Sequence, residues 1–313
     1  MILLESMKIA VLMLIVLGIS AAGAYNYTMT TSPGRGLALE GASEVLMPHV
    51  SLVTPEGNWT YPYEYYPVYP QNKTISGTIF EPDRLASTTR GVAALRLNTS
   101  SFQEALKGIS EISASGKAEL LGFAAPPFNR TDKSRFTLPG MPPGLYGLVV
   151  ANLSNLAVVT ALPMLITNDL ISMESPDMVK SGDSLKVKIR VLQGQSNTSR
   201  KYAAALVSWT DYETISIKMS SNGSKYGMTS KISIGNESLE IRGEPKISQS
   251  LVERLLPILP QDSAVALDES NKTESEMYLL TDEAWKPGKY VLTCGAYSSK
   301  GLDGIIQKTI EMT

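Results

Sequence analysis

Ten of the twelve asparagines in this 313-residue chain open an Asn-x-Ser/Thr triplet: Asn26, Asn58, Asn72, Asn98, Asn129, Asn152, Asn197, Asn222, Asn236 and Asn271. Only Asn155 and Asn168 do not. The triplet sets an amide nitrogen beside a hydroxyl two residues on, which is the acceptor pattern of N-linked glycosylation. Ser and Thr together number 58, so chance would fill about 2 triplets. A polar, turn-rich chain in which Asn and Ser/Thr share loops accounts for part of that excess. It does not account for all of it.

Little else in the composition can do chemistry. His49 is the one histidine and Cys294 the one cysteine, so one chain can build neither a His/Cys zinc site nor a disulfide nor a histidine relay. A Ser-His-Asp triad would have to recruit His49, and no G-x-S-x-G elbow accompanies it. Seven carboxylates lie between Asp262 and Glu283 against the single cation Lys272. They read as a solvated acidic loop, because the D-x-D-x-D-G spacing of a calcium loop is absent. A carboxylate-based glycoside hydrolase is the least favoured alternative, since the separation of an acid pair is a three-dimensional property. No phosphate-binding or dinucleotide fingerprint occurs. The expectation is a protein that is not an enzyme, with no cofactor and no metal. Lys plus Arg number 28 against 30 Asp plus Glu, a net charge of −2, which offers nucleic acid no basic face.

The aromatic residues supply the one candidate binding segment. Residues 57–70 read GNWTYPYEYYPVYP, and proline at that density favours an extended, polyproline-like backbone. Trp59, Tyr61, Tyr63, Tyr65 and Tyr69 are the candidate contacts for a glycan or a protein, because aromatic faces stack and the phenol adds a polar handle. Tyr61, Tyr63, Tyr65 and Tyr69 share one parity, and Tyr66 opposes them. The alternative is that these rings pack onto the neighbouring domain and pin the segment there.

An address precedes all of this. Ile9 to Ile19 is an apolar run after Lys8, and small residues end in Ala22-Gly23-Ala24. That layout is a secretory signal peptide, residues 1–24, cut before Tyr25; the alternative is an uncleaved anchor. Export, many sequons and a single cysteine together point to an archaeal cell envelope, because secreted animal proteins of this kind carry paired cysteines.

The elements that must hold these groups are strands. Leu185, Val187, Ile189 and Val191 alternate with Lys186, Lys188 and Arg190, so one face goes inward and a cationic face outward. Tyr202 to Trp209 reads as a more continuously apolar central strand. Ile215 to Met219 and Met228 to Ile234 read as a hairpin with Asn222-Gly223 near its turn. Residues 136–168 carry no charge; Pro163 and the Asn152 sequon within them favour two buried strands over a membrane helix. Short helices are expected from the capping boxes at Ser101-Phe102-Gln103-Glu104 and Ser250-Leu251-Val252-Glu253.

A frame P-G-x-Y-x-L occurs twice, at Pro143 to Leu148 and at Pro287 to Leu292. Each copy launches an alternating strand, followed by a closing strand at Leu156 to Ile166 or Gly304 to Met312. Cys294 then shares a face with Tyr290 and Leu292, and Val150 is its counterpart. It reads as a small buried hydrophobe, with an intermolecular disulfide as the alternative. The echo divides the chain into residues 1–24, a lead-in 25–70, a first β-sandwich 71–167 and a second Ig-like β-sandwich 168–313; one larger sandwich is the alternative.

The Tyr/Pro segment 61–70, Pro143-Gly144-Leu145-Tyr146, Ser181-Gly182-Asp183-Ser184-Leu185 and Lys286-Pro287-Gly288-Lys289-Tyr290 together resemble secreted surface proteins of methanogenic archaea, of the S-layer-associated type with Ig-like ectodomains. The resemblance implies an all-β fold of two tandem Ig-like sandwiches with short peripheral helices. It also implies a cell-surface location, no catalysis, and a structural or adhesive role with envelope proteins or cell-surface polysaccharide as partners. No transmembrane segment is expected in the mature chain.

Overall fold

The computed structural model describes residues 37–54, 57–61, 64–80, 90–96, 120–124, 133–152, 157–195, 197–221, 228–242 and 256–313. The signal peptide, the capping-box helix at Ser101, residues 251–255 of the second expected helix and the Asn222-Gly223 turn lie outside them.

Strands dominate, and the fold is all-β. In the first half, β1 (Leu37–Glu40), β6 (Ile75–Phe80) and β9 (Lys133–Leu138) form a three-stranded sheet. A second sheet runs in the order β2 (Ser43–Met47), β5 (Glu64–Pro70), β11 (Ala157–Thr167), β10 (Gly144–Asn152), β7 (Arg90–Arg96), β8 (Leu120–Ala124). One buried cluster, including Tyr69, Ile75, Phe136, Tyr146 and Leu148, draws on both sheets.

The second half repeats the arrangement. Strands β12 (Ile171–Glu174), β14 (Ser184–Val191) and β20 (Glu274–Leu280) form the three-stranded sheet. The partner sheet runs β13 (Met178–Val179), β22 (Gly301–Met312), β21 (Gly288–Ser298), β15 (Arg200–Ser208), β19 (Ser263–Ser270). In each half the closing strand pairs antiparallel with the strand before it and parallel with an early strand: β11 with β10 and β5, β22 with β21 and β13.

The repeated sequence frame has a physical reason. Gly144 (φ 155°) and Gly288 (φ 144°) take backbone angles that a side chain disfavours. Two residues on, the Tyr146 hydroxyl donates to the Pro142 carbonyl (2.7 Å) and the Tyr290 hydroxyl to the Lys286 carbonyl (3.0 Å), each four residues upstream. The buried phenol thereby finds a partner while its ring fills the core. Val150 and Cys294, the matched positions, are both fully buried.

The aromatic segment and the lead-in differ from expectation. The described residues of the segment form sheet strands rather than a polyproline-like stretch: residues 57–61 are β4 (Gly57–Tyr61) and residues 64–70 are β5. From Leu37 onward the expected lead-in is built into the sheets. Strand β3 (His49–Thr54) pairs with β4 and, in parallel, with β16 (Ser216–Ser221) of the second half. With β17 (Met228–Ile234) and β18 (Glu237–Arg242) they form one sheet shared by both halves. The expected hairpin pairing of β16 with β17 is present. Residues 149–152 and 157–166 lie in the paired strands β10 and β11, and no described helix is long and apolar enough to cross a membrane. The central strand stops at Ser208, whose hydroxyl accepts from the Asp211 amide and starts a six-residue helix, α1 (Trp209–Thr214). The expected helix from Ser250 lies outside the described residues up to 255, and a short 3-10 turn, Leu256–Ile258, follows at Pro257, where that helix is expected to end.

The halves meet through the outer faces of their larger sheets. Val45, Tyr66, Val68 and Leu165 pack on Leu302 and Ile305. Gln307 binds the edge of β2: its Oε1 accepts from Leu46 N–H (2.7 Å), and its Nε2 donates to the Leu46 carbonyl (3.2 Å), Thr293 Oγ1 (3.0 Å) and the Tyr212 hydroxyl (2.9 Å). At the crossover the Asn168 and Asp169 amides donate to the carbonyls of Leu302 and Asp303. Beneath them Asp303 is buried and accepts from Arg200 Nε (2.9 Å), Ser298 Oγ (2.8 Å) and Asn168 Nδ2 (3.4 Å).

Two stability measurements follow. Tyr146→Phe and Tyr290→Phe should each cost about 1 kcal/mol in urea unfolding, because each strands one carbonyl. Arg200→Met leaves the buried Asp303 carboxylate without its cation and should cost about 3–5 kcal/mol; a loss below about 1 kcal/mol would mean that water already solvates the pair.

Candidate functional site

The sequon asparagines divide by what the fold does with them. Asn72, Asn197, Asn236 and Asn271 are exposed, and each lies in a turn between strands. Asn72 joins β5 to β6, Asn197 joins β14 to β15, Asn236 joins β17 to β18, and Asn271 joins β19 to β20. Asn72 (φ 63°) and Asn197 (φ 71°) have left-handed backbones, a conformation that Asn tolerates better than most residues. Asn168, which opens no sequon, is instead half-buried and bonded to Asp303. Asn58 and Asn152 lie in β4 and β10. Asn26, Asn98, Asn129 and Asn222 lie outside the described residues.

Two of the four exposed turns touch each other. The Asn197 amide donates to the Asn271 carbonyl at 3.1 Å. Both flank the crossover between the halves, since the Leu192 amide bonds the Leu170 carbonyl and the Gln193 amide bonds Asp169 Oδ1 (3.0 Å). Asn72 flanks it from the other half: the Gln71 amide donates to the Thr167 carbonyl, and its Nε2 to the Asn168 carbonyl (2.8 Å). Asn236 stands apart, at the tip of the β17–β18 hairpin.

The aromatic residues do not form one exposed face. Tyr65 is 52% exposed, but Tyr69, of the same parity, is 0% exposed and donates to the Glu40 carbonyl at 3.0 Å. Lys73 Nζ lies 5.7 Å from the centre of the Tyr69 ring. Alternation fails as a guide because β5 is buried on both sides. Tyr69 enters the core of the first half, while Tyr66 and Val68 enter the contact with the second. Trp59 and Tyr61 lie in β4, and Tyr63 lies outside the described residues.

Most of the stretch 262–283 forms strands β19 and β20 rather than a loop; Asp262, Asp282 and Glu283 lie outside them. Two of its carboxylates meet the cationic face of β14: Glu276 pairs with Lys186 (2.9 Å), and Glu274 with Lys188 and Arg190 (3.2 Å each). Hydrogen bonds from Lys188 and Arg190 hold the Glu274 carboxyl below its ordinary range, and Lys186 does the same for Glu276. Exposed pairs of this kind align strands more than they stabilise them. No group of acidic, His or Cys side chains among the described residues is arranged to hold a metal.

Asp262 and Asp282, both of the acidic stretch, are joined by Asp211, which the sequence reading had not linked to them, in lining a cleft of about 680 Å³ with Trp285 and Lys286. The Trp285 ring stacks on Tyr290 at 5.5 Å with planes 3° apart. His49 is exposed on β3. Cys294 is fully buried with Sγ 3.2 Å from Met173 Sδ, and burial pushes its thiol pKa up. No thiol of another chain reaches it while the core is closed.

No family model matches the chain, and no curated protein matches it. Among solved structures, a red sea bream transglutaminase is similar over 79% of this chain at 7% identity, with a TM-score of 0.27. The chain spans 30% of the length of that protein. A likeness of that size carries no argument about activity.

The buried phenols generate a pH dependence. Burial, with help from the Glu40 carboxylate, pushes Tyr69 up to about 12. Burial does the same for Tyr202, against the opposing charge of Arg200, and for Tyr290, beside Asp262 and Asp211. An unfolded phenol ionises near 10. Between pH 10 and 12 the unfolded chain therefore binds fewer protons than the folded one, so stability falls as pH rises. The urea midpoint should hold below pH 10 and drop steadily above it, with the tyrosinate absorbance of these residues appearing only on unfolding. A midpoint flat to pH 12 would contradict the burial argument.

Proposed function

We propose that this chain is an exported, N-glycosylated protein of an archaeal cell envelope with a structural or adhesive role. In this reading residues 1–24 are a cleaved signal peptide, and the two halves are tandem Ig-like β-sandwiches. Neighbouring envelope proteins or cell-surface polysaccharide are its partners. The observation that carries the reading is the partition of asparagines. Each sequon Asn whose side chain is described stands exposed on a turn, whereas Asn168, outside any sequon, is spent on an internal hydrogen bond. In each half a three-stranded sheet faces a larger one, of six strands in the first half and five in the second, and each larger sheet has a tyrosine tied to the backbone upstream; this supports the sandwich part, because the Ig fold uses the same device. Glycans on such turns would keep sheet edges from pairing with other chains.

Glycopeptide mass spectrometry on the native envelope fraction tests the reading. The expected result is a mature terminus at Tyr25 with glycans on several of Asn72, Asn197, Asn236 and Asn271. Bare asparagines together with retained residues 1–24 would overturn it.

A further inference from the structure

Resting on that glycosylation reading, we infer that Asn72, Asn197 and Asn271 accept their glycans before the half that carries each has folded, whereas Asn236 stays open to modification in the folded protein. The modification joins the Asn Nδ2 to C1 of a sugar activated as a lipid-linked phosphate ester. The C1–N bond forms as the C1–O bond breaks, the lipid phosphate leaves with the bonding pair, and the amide gives up one proton to a base. An enzyme that recognises this triplet must hold the Asn amide and the hydroxyl two residues on at the same time. The three residues must therefore come away from the protein surface, and the bonds holding them set the cost of doing so.

Within each half those bonds are many, and most join residues distant in sequence. Asn197 N–H donates to the Asn271 carbonyl, the Thr198 carbonyl accepts from the buried Arg200, and the Ser199 hydroxyl donates to Glu269. The Lys272 carbonyl accepts from the buried Tyr202 phenol (2.6 Å), and the Thr273 carbonyl accepts from the Val191 amide (2.8 Å). At Asn72 the neighbouring chain lies directly on the backbone, since a Cβ built on Gly140 would come within 2.3–2.5 Å of Asn72 main-chain atoms. Lys73 there is tied through Nζ to the Gly41 carbonyl (2.7 Å). The triplet Asn236-Glu237-Ser238 differs: it starts edge strand β18, and its partners in the register are Ile234 and Ser233 of the same hairpin. Outside the hairpin the turn is held, among the described residues, by one exposed bond, from the Gly235 amide to the Thr214 hydroxyl (2.9 Å), so lifting the triplet frays one hairpin and leaves the crossover intact.

The test uses the full chain made without glycans and allowed to fold. It is incubated with membranes that carry the transferase and its lipid-linked oligosaccharide, and each site is followed by mass spectrometry. Unstructured peptides spanning 70–76, 195–201, 234–240 and 269–275 calibrate the intrinsic rate of each triplet. Relative to its peptide, Asn236 should be modified at least tenfold faster than the other three in the folded chain. In Arg200→Met, which loosens the crossover, the rates at Asn197 and Asn271 should rise while that at Asn236 stays the same. Comparable relative rates at all four sites of the folded chain, or no response in Arg200→Met, would overturn the timing and leave glycosylation standing. Peptides that are never modified, with bare asparagines on the native protein, would overturn the glycosylation reading and the timing together.

Discussion

The buried carboxylate of Asp303 organises the region where the two halves join. Asp303 opens the last strand, and burying its charge is costly unless the charge is neutralised and its lone pairs are filled. Arg200, on the first residue of β15, supplies the charge, and Ser298 and Asn168 fill the remaining positions. Arg200 in turn satisfies the Gln195 and Thr198 carbonyls. The ion pair thus fixes the β14–β15 turn as well as the strand ends. Asn168 and Asp169 then have one place to go, because their own amides are taken by the backbone of Leu302 and Asp303. The crossover from one half to the other is a hydrogen-bonded seam.

That seam works because the larger sheet of the second half is covered on both sides. Its inner face, with Tyr202, Leu206, Leu292 and Cys294, closes the local core. On its outer side Leu302 and Ile305 meet Val45 and Val68. A polar group caught in such a contact must be fully partnered, and Gln307 is. Its amide offers Leu46 both an acceptor and a donor, as a neighbouring strand would, so the edge of β2 is capped by a side chain. The shared sheet of β3, β4 and β16 to β18 adds backbone pairing across the same boundary.

The strands that the sequence spelled out are those with one buried face. In β14 the apolar and cationic residues alternate, and the fold buries Leu185, Val187, Ile189 and Val191 as the pattern dictates. The P-G-x-Y-x-L frames were legible because a turn glycine and a self-bonding tyrosine are local devices. What escaped was decided by distant partners. Parity assigned Tyr65 and Tyr69 to one face, but β5 is enclosed from Tyr66 to Tyr69, so parity no longer separates inside from outside. Glu274 and Glu276 looked like part of a solvated loop because their counter-charges sit some 80 residues earlier on β14. The pairing of β3 with β16 and the burial of Arg200 depend on the same long-range closure, for which no short window of sequence carries a signal.

The asparagines show how one residue type can answer two demands. A left-handed turn at Asn72 or Asn197 favours Asn on backbone grounds alone, so their identity there says little about modification. Turn geometry does not require the hydroxyl two residues later, however, and at Asn236 and Asn271 the backbone is not left-handed at all. Asn168 supplies the contrast within the same molecule: an asparagine needed for its amide alone is drawn inward, and the residue two positions on is Leu170. Backbone demand therefore explains where some of these asparagines sit. It does not explain the Ser or Thr that follows them, and that hydroxyl links the turns of the fold to the chemistry proposed for them.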